Sequence, residues 1–190
     1  MKKRTALIAA LMSLLSLGGP LLIGTGAAFT SAAVILSVPE MARAESAEFY
    51  LIQAKQLLLD KNNKESISMI FKALSIKESS EGYFLLGHAY RNSRQLEAAL
   101  NAFKRSLELE PDISSVYQNL GAVSGDLGEH QNAITYLNKA LELNPKHPLA
   151  YLGRGISKGR LGMWNEGIED FNIAIMLDPK LANAYLNRGI

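Results

Sequence analysis

A 34-residue step constrains this chain more than any other feature of its sequence. The stretch YFLLGHAYRNSRQLEAALNAFKRSLELEP, from Tyr83 to Pro111, sets Leu86, Gly87, Tyr90, Ala99, Phe103 and Ser106 at fixed intervals before its closing proline. Moved by 34, Tyr83 falls on Tyr117, Tyr151 and Tyr185, and Gly87 falls on Gly121, Gly155 and Gly189. Ala99 falls on Ala133 and Gly167, Phe103 on Leu137 and Phe171, Ser106 on Ala140 and Ala174, and Pro111 on Pro145 and Pro179. No residue is inserted or lost across these steps. A period of this kind marks stacked units, none of which can bury its apolar face alone.

Each unit reads as two amphipathic helices, such as 80–93 and 96–109, with apolar residues at helical spacing in both. Small residues at Gly87, Ala99 and Ser106 allow two helix backbones to approach closely. A large side chain at Gly121 or Gly155 is expected to overpack that contact, at ~1–3 kcal/mol. Pro111, Pro145 and Pro179 lack an amide hydrogen and clash with a preceding turn, so each second helix ends before them. Gly128 and Gly162 suit the turn between helices. Gly153, Gly155, Gly159, Gly162 and Gly167 crowd one unit. Glycine inside a helix costs about 1 kcal/mol relative to alanine, so a softer helix is expected at 148–161 than at 114–127.

Residues 80–113 give Tyr83-x2-Leu86-Gly87-x2-Tyr90, then Ala99-x3-Phe103, then Pro111. That run resembles the tetratricopeptide repeat, whose pattern is W-x2-L-G-x2-Y, A-x3-F and P on the same period. Residues 114–147 and 148–181 follow it more loosely, with Ser124 and Lys158 where Tyr90 stands. The resemblance covers roughly 46–190 and implies an all-α fold: a right-handed α-solenoid of antiparallel helix pairs. The ends depart from the pattern. Residues 47–79 look like a worn repeat that keeps Ala54, Ser66, Ile70 and Ala73 but has no closing proline, as suits an end cap. Residues 182–190 begin a further unit with Tyr185 and Gly189. They read as a stub cap or as a truncated frame; truncation is the expectation, because both residues are interior ones.

Residues 1–44 read as an address. Lys2, Lys3 and Arg4 precede an uncharged run from Thr5 to Pro39, and Ala42-Arg43-Ala44 follows it. A basic start, an apolar middle and a small-x-small exit mark a secretory signal peptide, with Ala42 and Ala44 as the cleavage determinants. The run exceeds the ~7–15 residues of a signal core and is long enough for a spanning helix of about 20, so an uncleaved anchor is the other reading. Either way the positive start stays in the cytoplasm. The array at 45–190 is then expected on the far side, in a periplasm or equivalent lumen, or tethered to the membrane there.

The remaining 146 residues hold 16 basic and 17 acidic side chains, so they carry no electrostatic footprint for nucleic acid. With no cysteine in the chain, disulfides, thiolate metal sites and a cysteine nucleophile are excluded. The run from Gly153 to Gly159 imitates a phosphate loop, but its spacing is G-x-G-x-x-x-G and no strand precedes it. His88, His130 and His147 lack the clustering that a metal needs and are expected as solvated or edge residues. No nucleophile frame is visible, and the carboxylates are expected to be spread over helix surfaces rather than paired in a pocket. Neither a cofactor nor a catalytic residue is assigned. Trp164, the single tryptophan, is expected in core or inter-helix packing, with a partner hot spot as the sharper alternative.

The resemblance implies a binding strip along the concave groove of the array, on the side of each first helix turned away from its second helix. It would carry Phe84, His88 and Arg91, then Gln118, Asn119 and Ala122, then Leu152, Ile156 and Arg160. Asn119 and Asn187 match an asparagine that peptide-binding members use to hold a ligand backbone, since an amide both donates and accepts. A subclass that grips a C-terminal carboxylate has basic residues at the second unit position; here that place holds Glu81, Ser115 and Leu149, so its specificity does not carry over. The function expected is a non-enzymatic scaffold or adaptor that binds an extended or helical segment of another protein. The alternative is a fragment of a longer array, or of a multidomain enzyme, with no function of its own.

Overall fold

The carbonyl groups left free where a helix ends must find donors, and this chain meets that need the same way four times. Asn62, Gln95, Glu129 and Met163 donate their amides to carbonyls five residues back, on Leu57, Tyr90, Ser124 and Lys158, at 2.8–2.9 Å. The residue before each is left-handed: Lys61 at φ 59°, Arg94 at φ 60°, Gly128 at φ 83° and Gly162 at φ 81°. This is the Schellman closure, in which glycine is favoured. Lys61 and Arg94 take it with a side chain, at roughly 1–2 kcal/mol each.

The computed structural model describes residues 46–189, and the leader positions Ala42 and Ala44 lie outside them. The described residues form nine helices and no strand. The first pair is α1 (Ala47–Leu59) and α2 (Asn63–Ile76), and the second is α3 (Ser80–Asn92) and α4 (Leu96–Leu109). Next come α5 (Ser114–Asp126) with α6 (His130–Leu143), and α7 (Pro148–Arg160) with α8 (Trp164–Leu177). The last is α9 (Ala182–Arg188). No helix among the described residues is long and apolar enough to cross a membrane. The two helices of each pair pack together, and the second helix of each pair packs on the first helix that follows, so the architecture is the expected helical-repeat solenoid.

Side-chain caps start the first two pairs. Ser46 Oγ accepts from the Phe49 amide and Ser79 Oγ from the Gly82 amide, both at 3.1 Å. α7 opens instead on Pro148, where the missing amide costs nothing. Within pairs the small residues work by absence. A Cβ on Gly87 would lie 2.5 Å from Phe103, one on Gly121 2.4 Å from Leu137, and one on Gly155 2.6 Å from Phe171. The buried serines add bonds between helices: Ser66 Oγ donates to the Ala54 carbonyl and Ser106 Oγ to the Ser80 carbonyl, both at 2.9 Å.

The core runs along the stack. Leu51 and Ile70 of the first pair pack with Leu85 and Leu86 of the second, and Phe103 packs with Val116 and Leu120 of the third. Ala133, Leu137 and Ala140 meet Ala150, and Leu152 and Phe171 meet Ala184.

One carboxylate departs from the expected surface distribution. Asp170 of α8 is buried beneath α7. Arg154 donates to it twice, Nε to Oδ2 at 2.9 Å and Nη2 to Oδ1 at 2.6 Å, and Lys158 Nζ lies 2.8 Å from Oδ2. Arg154 and Lys158 stand where the preceding unit has Leu120 and Ser124. The cluster ties the glycine-rich α7 to α8 by charge where other pairs use apolar contact. Asp170→Ala leaves two largely buried cations without their anion. It is expected to lower stability by about 3 kcal/mol, read from the urea or guanidinium midpoint and slope.

Candidate interaction groove

The first helices follow one another in a row: α1 contacts α3, α5 contacts α7, and α7 contacts α9, while Arg91 of α3 pairs with Asp126 of α5. The row's outer face carries the strip expected from the sequence, and its members differ in what they offer. Phe84 and His88 are half-buried on α3, edge to face with ring centroids 4.6 Å apart. His88 also meets Phe103 edge-on at 5.5 Å. Arg91 Nε donates to Asp126 Oδ2 of α5 at 3.1 Å, an ion pair that bridges two units along the strip. Gln118, Ala122 and Ile156 are half-buried and Arg160 is exposed.

Two members sit deeper than expected. Leu152 is a core residue, 7% exposed, packed with Phe171, Ala174 and Ala184. Asn119 is 5% exposed, and its Nδ2 donates to the Ser115 carbonyl of its own helix at 2.8 Å. Asn187 repeats that bond to Asn183 at 2.7 Å while keeping more exposure. One amide hydrogen of each is therefore committed to the helix, and the carbonyl end remains for other contacts. Glu81, at the place of the missing carboxylate clamp, is held by Lys55 across the first two pairs.

The three histidines are half-buried, at edges of the packing rather than in open solvent. His88 is enclosed by aromatic rings, and the Nδ1 atoms of His130 and His147 are buried without a hydrogen-bond partner. Trp164 departs from the expected packing and is 65% exposed. It opens α8 with one ring edge toward Gly159, where a Cβ would lie 3.5 Å away. Beside it a cavity of about 380 Å³ opens between α7, α8 and α9. Gly155, Ile156, Gly159, Ile168 and Arg188 share its lining with Trp164. Periodicity placed Trp164 at a packing position but could not show that little lies over it.

Burial holds the His88 imidazole below its ordinary value, and the charge of Arg91 adds to the effect. Burial lowers His147 as well. Below about pH 6.5 the unfolded chain therefore takes up protons that the folded chain refuses. These contributions to stability are present above that pH and are lost as it falls. The urea midpoint is expected to drop between pH 7 and 5.5, and to drop less in His88→Leu.

With the strip in view, the comparisons fall into place. Tetratricopeptide repeat profiles match residues 80–113 and 114–147. No curated protein sequence matches the chain. Among solved structures, MamA is 26% identical with a TM-score of 0.66, covering 75% of this chain and 84% of its own. YrrB, described as a repeat protein of this kind with an unusual peptide-binding site, is 25% identical. Its TM-score is 0.65, with 78% of this chain and 77% of its own covered. The first such domain of Spaghetti (RPAP3), solved with an HSP90 peptide, shares the fold at 19% identity and a TM-score of 0.57, over 59% of this chain and 89% of its own. The units at 80–113 and 114–147 of this chain are tetratricopeptide repeats.

Proposed function

We propose that this protein is a non-enzymatic scaffold that binds a segment of another protein along the outer face of its first helices, outside the cytoplasm. One observation carries the reading. Successive first helices present Phe84, His88 and Arg91, then Gln118 and Ala122, then Ile156 and Arg160 in a row, each half-buried or exposed on a packed support. Side chains held on rigid helices lose little freedom when a ligand arrives, which favours recognition. The row mixes polar, apolar and charged groups and has no pocket in which paired acids and bases converge, so it suits a polypeptide better than a reacting small molecule. The peptide-binding site named for YrrB and the peptide bound to the Spaghetti domain support a ligand of this class. The location rests on the basic start, the uncharged run and the small-x-small exit of residues 1–44.

Crosslinking of the full chain in the cell envelope, followed by mass spectrometry, identifies the partner. Arg91→Ala with Gln118→Ala is the informative variant, because Asn119 is turned onto its own helix while these two face outward. The double substitution is expected to weaken partner capture about tenfold with an unchanged helical spectrum. Capture at full strength contradicts the proposed face, and a partner found only in the cytoplasm contradicts the location.

A further inference from the structure

Phe84, His88 and Phe103 form a closed triangle of rings. Centroids lie 4.6 Å apart between Phe84 and His88, 5.5 Å between His88 and Phe103, and 5.9 Å between the two phenyl rings. His88 meets both phenyl rings edge to face, at interplanar angles of 85° and 89°. Phe84 and His88 belong to the strip and are half-buried, whereas Phe103 is the completely buried ring that lies against Gly87. The triangle therefore joins the strip to the core of the second pair. Of its three members, His88 alone can take up a charge.

The surroundings accept His88 neutral and oppose it charged. Among the described residues none hydrogen-bonds either nitrogen of its imidazole. On its own helix, Arg91 stands one turn later and its charge disfavours a second cation; Glu81, about two turns earlier, is paired with Lys55 of α1. Asp126 of α5 is already paired with Arg91. The other charged residues of the helices packed on α3 are all exposed: Glu48 of α1; Lys64, Glu65 and Lys72 of α2; Glu97, Lys104, Arg105 and Glu108 of α4. Of all these charges, that of Arg91 is the one that acts on the imidazole, and burial acts more strongly still. A ring face attracts a cation, but it offers no acceptor to the two N–H groups of an imidazolium. Water supplies those acceptors.

We infer that this triangle makes the binding face sensitive to acid: a neutral His88 keeps Phe84 in place against Phe103, and a charged His88 leaves the rings for water, so the strip captures its partner near neutral pH and releases it in acid. The inference rests on the reading of the strip as a protein-binding face and adds the regulation of that face. Partner and proton compete for one state of the triangle. Affinity is therefore constant while free His88 is neutral, and falls by roughly tenfold for each pH unit below its titration.

The ring device is read on the full chain in detergent micelles, by carbon-edited NMR of histidine and phenylalanine side chains between pH 8 and pH 5. His88→Phe keeps three rings and cannot titrate, and His88→Gln serves as a second variant that also identifies the His88 signal. The His88 midpoint is expected below the ordinary 6.5. The Phe84 ring signals are expected to move with that same midpoint, and to stay still in both variants. Release is read with a photo-crosslinking residue in place of Ala122, in the full chain in its native envelope. The ratio of crosslink yield at pH 7.5 to that at pH 5 is expected to be at least about threefold, and to fall near one in His88→Phe. Phe84 signals that ignore the titration or follow it in the variants, a His88 midpoint above 6.5, or a yield ratio shared by His88→Phe would each overturn the inference. Spectra that behave as stated with no crosslink even at pH 7.5 would overturn the groove reading, and the release with it, while the ring device stands.

Discussion

The close approach of the two helices within each pair rests on an absent side chain. Gly87, Gly121 and Gly155 sit against Phe103, Leu137 and Phe171, at distances that no added carbon could share. Once that contact is made, the facing helix can bring its bulky residue into the interior, and the next pair can close over it. Phe103 is completely buried because Val116 and Leu120 of the following pair cover it. Each unit thus supplies half of its neighbour's core, which is why the stack carries its apolar interior from end to end and leaves the first helices free on their other side.

Much of this was legible in the sequence because a strict period makes each position testable against its copies. The helix pairs, the left-handed glycines at 128 and 162, the ends before proline and the packing glycines all follow from it. What escaped was whatever a single unit does differently. Asp170 was expected on a surface, yet Arg154 and Lys158 draw it inside. The signal was present: two cations, four residues apart, at places that hold Leu120 and Ser124 one unit earlier. Lys61 and Arg94 adopt the left-handed turn without glycine, because the closure they complete is fixed by the helices on either side. Composition at those two sites gave no hint of it.

The strip was legible as a face but not as a set of accessible atoms. Helical periodicity states which way a residue points and says nothing of how deeply neighbours cover it. Leu152 was expected on the outer face and is enclosed by Phe171 and Ala184. His88, expected as a solvated or edge residue, is half-buried and meets Phe84 and Phe103 edge to face. Trp164 looked like a core residue and stands mostly in the open. The neighbours that cover Leu152 lie on other helices, and those that meet His88 are Phe84, four residues away, and Phe103 of the paired helix.

Packing through the interhelical glycines is tested most directly by a double-mutant cycle between Gly121→Ala and Leu137→Ala, followed by chemical denaturation. Alone, the first should cost ~1–3 kcal/mol by overpacking and the second about 2–5 kcal/mol by leaving a cavity. Together they should cost less than their sum by at least ~1 kcal/mol, because the new methyl enters the space that the leucine vacates. Costs that add to within about 0.5 kcal/mol would mean that the two residues do not share that space, and would contradict the packing on which the solenoid stands.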